Sequence, residues 1–230
     1  LLAALIITNS RSSILSFVIS SAYIIYYFNR KLFNKILITS IVLLAILLFI
    51  PTINELISLL LRTDRIFSNT RGFFWSVAFD IIKDNPVFGA GPGVFEEYIY
   101  KYLPVNLGSF FEKQMAWAKS GTAHNFFLFR TADLGILGFI TAIWLPILSI
   151  KLANKAIVKY KEYDREIFYL VVAIKGTIVG LIARAFFEST GLLTHGWITR
   201  DLPFWLLIVI LLYLNKTETP NFKKLQYEKT

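Results

Sequence analysis

FFLFRTADLGILGFITAIWLPILSI, residues 126–150, carries only two charged side chains, Arg130 and Asp133, both near its start. Apolar runs of about 17 to 25 residues match the hydrocarbon thickness of a bilayer. The stretch therefore reads as a membrane span, with Pro146 expected to kink it. The same reading recurs outward at residues 13–28, 36–50 and 167–187, and in shorter form at 202–214, which is expected to begin inside the preceding loop. With 56% hydrophobic residues and a positive mean hydropathy, the 230-residue chain is expected to be an all-α, polytopic transmembrane helical bundle. Residues 1–7 are apolar but too short to span, and no charged region precedes them. They read as the end of a helix whose start is missing, so the chain is expected to be the C-terminal part of a larger membrane protein.

Charge gives the expected orientation. Twelve of the 24 lysines and arginines fall within residues 30–35, 151–165 and 216–229. Counting spans alternately puts these segments on one side, the positive-inside signature of the cytoplasmic face. The net charge of +9 is not read as a nucleic-acid footprint, because no basic groove interleaved with aromatics is visible. A long insert, about residues 51–125, falls on the opposite side, as do residues 188–201. The insert holds seven basic and seven acidic residues, so it adds no bias. Residues 1–214 form one transmembrane domain in this reading, and 215–230 a polar cytoplasmic tail. The absence of cysteine excludes a disulfide framework, a thiolate nucleophile and a cysteine metal site.

The insert is expected to contain short amphipathic helices. Thr70 is a plausible N-cap for a helix to about Lys83, with Phe74, Val77, Ala78, Ile81 and Ile82 on one apolar face. Asn85-Pro86 stops it, and so short a helix should lie along the membrane surface. Gly89-Ala90-Gly91-Pro92-Gly93 lacks the Lys-Ser/Thr of a phosphate-binding loop and the spacing of a dinucleotide fold. It reads as a tight turn that lets backbone pass close to something. A second short helix follows over 94–102, with Phe95, Tyr98, Ile99 and Tyr102 on one side.

Several side chains are candidates for chemistry. Arg71, in the first turn of its helix, suits a phosphate or, alternatively, a lipid headgroup. His124 is either a general base or a structural histidine. His195 is the only other histidine, and no metal-ligand set is present. Arg130 either reaches phosphate or pairs with Asp133 at i+3. Arg184 and Glu188, four apart, are expected to pair, with sugar contact as the alternative. His195 and Arg200 lie in an outer loop within reach of an acceptor. Lys175, deep within a span, is costly unless paired or wetted, and is a candidate without a role. Trp75, Trp117 and Trp197 read as interfacial anchors ahead of sugar-stacking platforms.

Three stretches in order resemble the O-antigen ligase and polymerase family of membrane enzymes. TNSRSS (residues 8–13) is similar to its Ser-Arg motif. RGFFWSVAFDIIKDNPVFGAGPGVF (71–95) is similar to its Arg-x-x-x-Trp helix followed by a Pro- and Gly-containing turn. AHNFFLFRTADLGILGF (123–139) is similar to its His-Asn motif followed by Leu-Gly-x-x-Gly. The N-terminal spans expected of the family are missing. The resemblance, over residues 8–139, implies a GT-C-like enzyme in a bacterial cytoplasmic (inner) membrane, with its active site on the periplasmic or exterior face. It implies transfer of a glycan from an undecaprenyl diphosphate carrier, with inversion and without metal or other cofactor. The acceptor would be a lipid A core, a protein, a wall polymer or, for a polymerase, a second lipid-linked repeat. Arg11 and Arg71 are carried over as diphosphate clamps and His124 as the base. Asn125, Arg130, Arg184 and Glu188 are the further candidate substrate contacts. The alternative from another class is a polysaccharide or lipid transporter without transfer chemistry. That reading requires repeated or discontinuous spans with midplane charges. Lys175 alone meets it, and no repeat is visible.

Overall fold

A continuous 35-residue helix is about 52 Å long, well beyond the roughly 30 Å of a bilayer core. The helix that contains residues 126–150 has this length and solves the problem with a break. In the computed structural model, residues 10–51, 70–102, 121–196 and 198–217 are described. The expectations for residues 1–7, Trp117, Trp197 and the tail beyond 217 lie outside them. All regular structure among the described residues is helical: α1 (Arg11–Phe28), α2 (Arg30–Leu48), α3 (Thr70–Asp84), α4 (Phe95–Tyr102), α5 (Phe126–Tyr160), α6 (Arg165–Ala185) and α7 (Ile198–Lys216). Four of these, α2, α5, α6 and α7, are long and apolar enough to cross a membrane.

α1 is not among the four, since five serines and three tyrosines dilute its apolar residues. It nevertheless packs along α6, one of the four. The contact is a small-residue one: a Cβ at Gly180 would overlap Ser20 Oγ and the Ser16 carbonyl, and one at Gly176 would sit 2.7 Å from Ile24 Cγ1. α5, α6 and α7 enclose a core that includes Leu145, Ile157, Val171, Ile178, Phe204 and Leu211. A second core lies beside it. The α3 face of Phe74, Val77, Ala78 and Ile81 is buried with Phe95 and Ile99 of α4 against Phe129 and Ala132 of α5. The expected apolar faces of both short helices are therefore used, and they pack against protein.

Caps set the ends. Asn29 closes α1 through its N–H to the Ile25 carbonyl, and its side chain caps α2 by accepting from Leu32 N. Asp164 caps α6 by accepting from Glu166 N and Ile167 N. The Lys159 ammonium donates to the Leu214 and Asn215 carbonyls at the C-terminal end of α7, where the helix dipole favours a cation. Phe28 meets Phe168 and Tyr169 at the start of α6. The described parts of the three basic segments therefore gather at one end of the bundle.

Some boundaries differ from expectation. α5 continues to Tyr160, so most of the basic stretch after residue 150 is helical rather than loop. α6 ends at Ala185, two residues before the expected end. α7 begins at Ile198, within the loop as expected. Thr70 is the first residue of α3 rather than its cap. The helix runs through Pro146, and its non-helical residue is Gly135 (φ 59°, ψ −140°).

The break at Gly135 is filled by the Pro86–Gly91 turn. In an unbroken helix Ile136 N–H would donate to the Ala132 carbonyl. Here Ile136 N donates to the Pro86 carbonyl at 3.0 Å, and the Ala132 carbonyl accepts from Ala90 N at 2.8 Å. Gly91 N donates to the Asp133 carbonyl at 2.9 Å. Two glycines permit this approach: a Cβ at Gly89 would overlap the Asp133 carbonyl, and one at Gly135 the Val87 carbonyl. The close passage expected of the glycine-rich turn is thus against helix backbone. A non-glycine residue in this backbone region costs about 1–3 kcal/mol before any overlap. Gly196 also has positive φ, yet nothing lies within 4 Å of a Cβ built there. Gly89→Ala and Gly135→Ala should therefore lower the thermal unfolding midpoint of detergent-purified protein well below that of Gly196→Ala. Equal midpoints for the three would refute the docking account.

Candidate active site

His124 is the one non-glycine residue with positive φ (50°) among the described residues. It stands directly before Asn125, the N-cap of α5, so its side chain is fixed at the mouth of that helix. Asn125 is committed to the protein at both ends of its amide. Its Oδ1 accepts from Leu128 N at 3.0 Å, and its Nδ2 donates to the Phe186 carbonyl at 3.1 Å. Its backbone N donates to Ser189 Oγ. These bonds tie the start of α5 to the end of α6.

The segment after α6 supplies the partner of His124. Glu188 Oε2 lies 3.7 Å from His124 Nδ1, an ion-pair distance when the imidazole is protonated. The other carboxylate oxygen, Oε1, accepts from Ser12 Oγ at 3.1 Å. Ser12 in turn shares a hydroxyl network with Ser10, the N-cap of α1, which also bonds Ser13. The Phe74 ring of α3 lies 5.7 Å from the imidazole, centre to centre. Residues 12, 74, 124 and 188 thus converge from four segments. Burial alone would push the Glu188 carboxyl up; His124, Arg184 and the Ser12 hydroxyl together outweigh it and hold the group below the usual carboxylate range.

The expected Arg184–Glu188 pair is replaced. α6 ends at Ala185, so helical i,i+4 geometry does not extend to residue 188. Arg184 Nη1 donates instead to the Thr190 carbonyl at 3.0 Å. Arg130 is buried, with its Nε unpartnered among the described residues, and both oxygens of buried Asp133 are likewise unpartnered. The anticipated i+3 bond is therefore not made, and Arg130 faces the interior beside the helix break. Arg11 and Arg71 are exposed in the first turns of α1 and α3. Lys175 has a partner: its ammonium sits 5.1 Å from the centre of the Tyr23 ring of α1. Trp75 is half-buried, with its Nε1 unpartnered. His195 and Arg200 are exposed, and the His195 ring packs near Gly93.

One organising residue was not anticipated. Asp201, buried in the first turn of α7, accepts from Gly191 N at 2.6 Å and from both the backbone N and the hydroxyl of Thr194. The Thr194 hydroxyl shares its one proton between Asp201 Oδ1 and the Ser189 carbonyl, 3.0 Å away. The signal available in the sequence was an acid at the N-terminal end of an apolar helix, where free N–H groups attract carboxylates. Among the described residues no group of three or more acidic or histidine side chains could hold a metal ion.

Residues 1–143 match the family model described as O-antigen ligase. The chain belongs to the O-antigen ligase family. No match was found among curated proteins or solved structures. As a member of that family with four helices, among the described residues, long and apolar enough to cross a membrane, it is an integral membrane protein of the ligase or polymerase type of membrane glycosyltransferase. The stretch matched to the ligase family takes in Ser12, Arg71 and His124; Glu188 and Asp201 lie beyond it.

Two outcomes follow for this ligase-family site. Because the folded Glu188 titrates below its unfolded value of about 4.3, its stabilising contribution is present above that pH and lost as pH falls through the folded value. The thermal midpoint of the unaltered chain should fall more steeply than that of Glu188→Gln as pH drops below about 4.3; parallel curves would refute the linkage. Asp201→Ala leaves two backbone donors, Gly191 N and Thr194 N, without their acceptor, each costing about 1–3 kcal/mol where burial keeps water out. Hydrogen exchange over residues 189–196 should rise sharply in that variant, and unchanged protection there would count against the assignment.

Proposed function

We propose that this chain transfers a glycan from an undecaprenyl-diphosphate carrier to an acceptor hydroxyl, with His124 as base and Arg11 and Arg71 as diphosphate clamps. The observation that carries this reading is the His124–Glu188–Ser12 junction. Arg11 directly precedes Ser12. Arg71 precedes Phe74 by three residues, one helical turn, and Phe74 packs on His124. Both arginines are therefore one step removed from side chains that touch the histidine or its partner.

The chemistry follows from that arrangement. Nδ1 lies 3.7 Å from Glu188, so an imidazole protonated on Nδ1 would keep the Nε2 lone pair available as the base. Nε2 accepts the proton of the acceptor hydroxyl as its oxygen attacks the anomeric carbon. The bond from that carbon to the carrier's diphosphate oxygen breaks, and the electron pair leaves with the diphosphate. Guanidinium groups suit this leaving group because they bind phosphate oxygens through paired, charge-assisted hydrogen bonds. Their benefit is greatest where the charge develops. Attack opposite the departing diphosphate inverts the anomeric centre. The imidazolium, stabilised by Glu188, then releases its proton.

The gathering of basic segments at the end of the bundle opposite His124 supports a cytoplasmic inner membrane location with the site on the outer face. The acceptor is a lipid A core, a protein, a wall polymer or, for a polymerase, a second lipid-linked repeat. Products in a deletion strain separate these: short lipid-linked units indicate a lost polymerase, and long unattached chains a lost ligase.

His124→Ala should lower transfer by about 10²–10⁴-fold, the usual worth of a general base. Arg71→Ala should also cause undecaprenyl-linked glycan to accumulate, while both variants remain in the membrane at normal abundance. Unchanged transfer in both would sink the assignment.

A further inference from the structure

The turn that docks on the α5 break leaves two large apolar side chains uncovered: Val87 is 54% exposed and Phe88 81%. Both stand where the backbone touches Gly135, and the preceding Pro86 carbonyl accepts from Ile136 N at 3.0 Å. Immediately past the break, α5 exposes Ile136, Leu137 and Ile140. The apolar tip of the turn therefore continues the uncovered apolar surface of a membrane-crossing helix. Lys83 and Asp84, which precede the turn, are exposed and charged. A contiguous apolar surface of this kind, preceded by charged groups and joined to a helix apolar enough to span, suits contact with lipid.

We propose that Val87 and Phe88 enter the bilayer as a wedge, with lipid acyl chains as their partner. The wedge is rigid, because three backbone hydrogen bonds and two glycine contacts fix the turn to α5. It lies at the inner end of the segment 126–134, about 13 Å of helix from His124. It thus sets the level at which the His124 end of the bundle meets the membrane surface. This placement is independent of the glycosyl-transfer chemistry, and its test does not involve transfer.

The chain has no cysteine, so Phe88→Cys creates a single labelling site. The whole chain carrying a nitroxide there is reconstituted in phosphatidylethanolamine–phosphatidylglycerol vesicles. Collisions with dioxygen, which concentrates in lipid, are compared with collisions with a water-soluble nickel chelate. Leu137→Cys on the lipid-facing side of α5 and Glu97→Cys on exposed α4 supply the two references. The expected result is a dioxygen-to-nickel ratio at residue 88 that matches Leu137, with the same preference at Val87→Cys. A ratio matching Glu97 overturns the proposal by placing the turn in water. Protection from both reagents, with an immobilised label, overturns it by placing protein over the turn. Val87→Cys keeps the test decisive if the Phe88 variant fails to fold.

Discussion

Backbone hydrogen bonding inside apolar surroundings is the constraint on which this structure depends. A helix that stops being helical at Gly135 leaves N–H and C=O groups without their intrahelical partners, and lipid offers no substitute. The Pro86–Gly91 turn supplies them, taking over the roles of Ala132 as acceptor for Ile136 and of Ile136 as donor to Ala132. The exchange is close to one for one, which is why both segments need glycine at the contact. A segment that looks like a surface loop in the sequence is thereby made part of the membrane domain. It also fixes α3 and α4, whose shared core rests on the portion of α5 before the break.

Much of this was legible in the residues. Apolar length identified α2, α5 and α6, helical spacing identified the buried face of α3, and clustered lysines and arginines identified one end of the bundle. The glycine-rich turn was recognisable as a place of close approach because five residues with three glycines have few other uses once phosphate-loop spacing is excluded. What it approached was not legible, since the partner lies some forty residues away and depends on a helix breaking at one glycine among several. Pro146 was the stronger local signal for a kink. The residue that leaves helical φ/ψ is nevertheless Gly135, where the docked turn supplies three hydrogen bonds, while the helix continues through Pro146.

The candidate site divides in the same way. His124, Arg11 and Arg71 stood out as polar residues at the ends of apolar runs. The role of Glu188 did not, because i,i+4 spacing favoured Arg184 and nothing local announces that α6 stops at Ala185. The actual partner, Ser12, is 176 residues away in sequence. Long-range pairs of this kind become visible only when packing brings the helix ends together. Asn125 illustrates the converse: a residue next to the candidate base also caps α5 and bonds the end of α6, contacts that its place in the sequence did not announce.

The α1–α6 contact has a consequence for the site. Ser12 belongs to α1 and Glu188 follows α6, so their 3.1 Å bond spans two helices that touch where Gly176 and Gly180 admit the Ile24 and Ser20 side chains. Those glycines work as a hinge pin. A bulkier residue there would splay the pair and, by leverage over two to three turns, displace the carboxylate from the imidazole. The alignment of the candidate base is therefore written partly in the middle of the bundle, at positions that never approach a substrate.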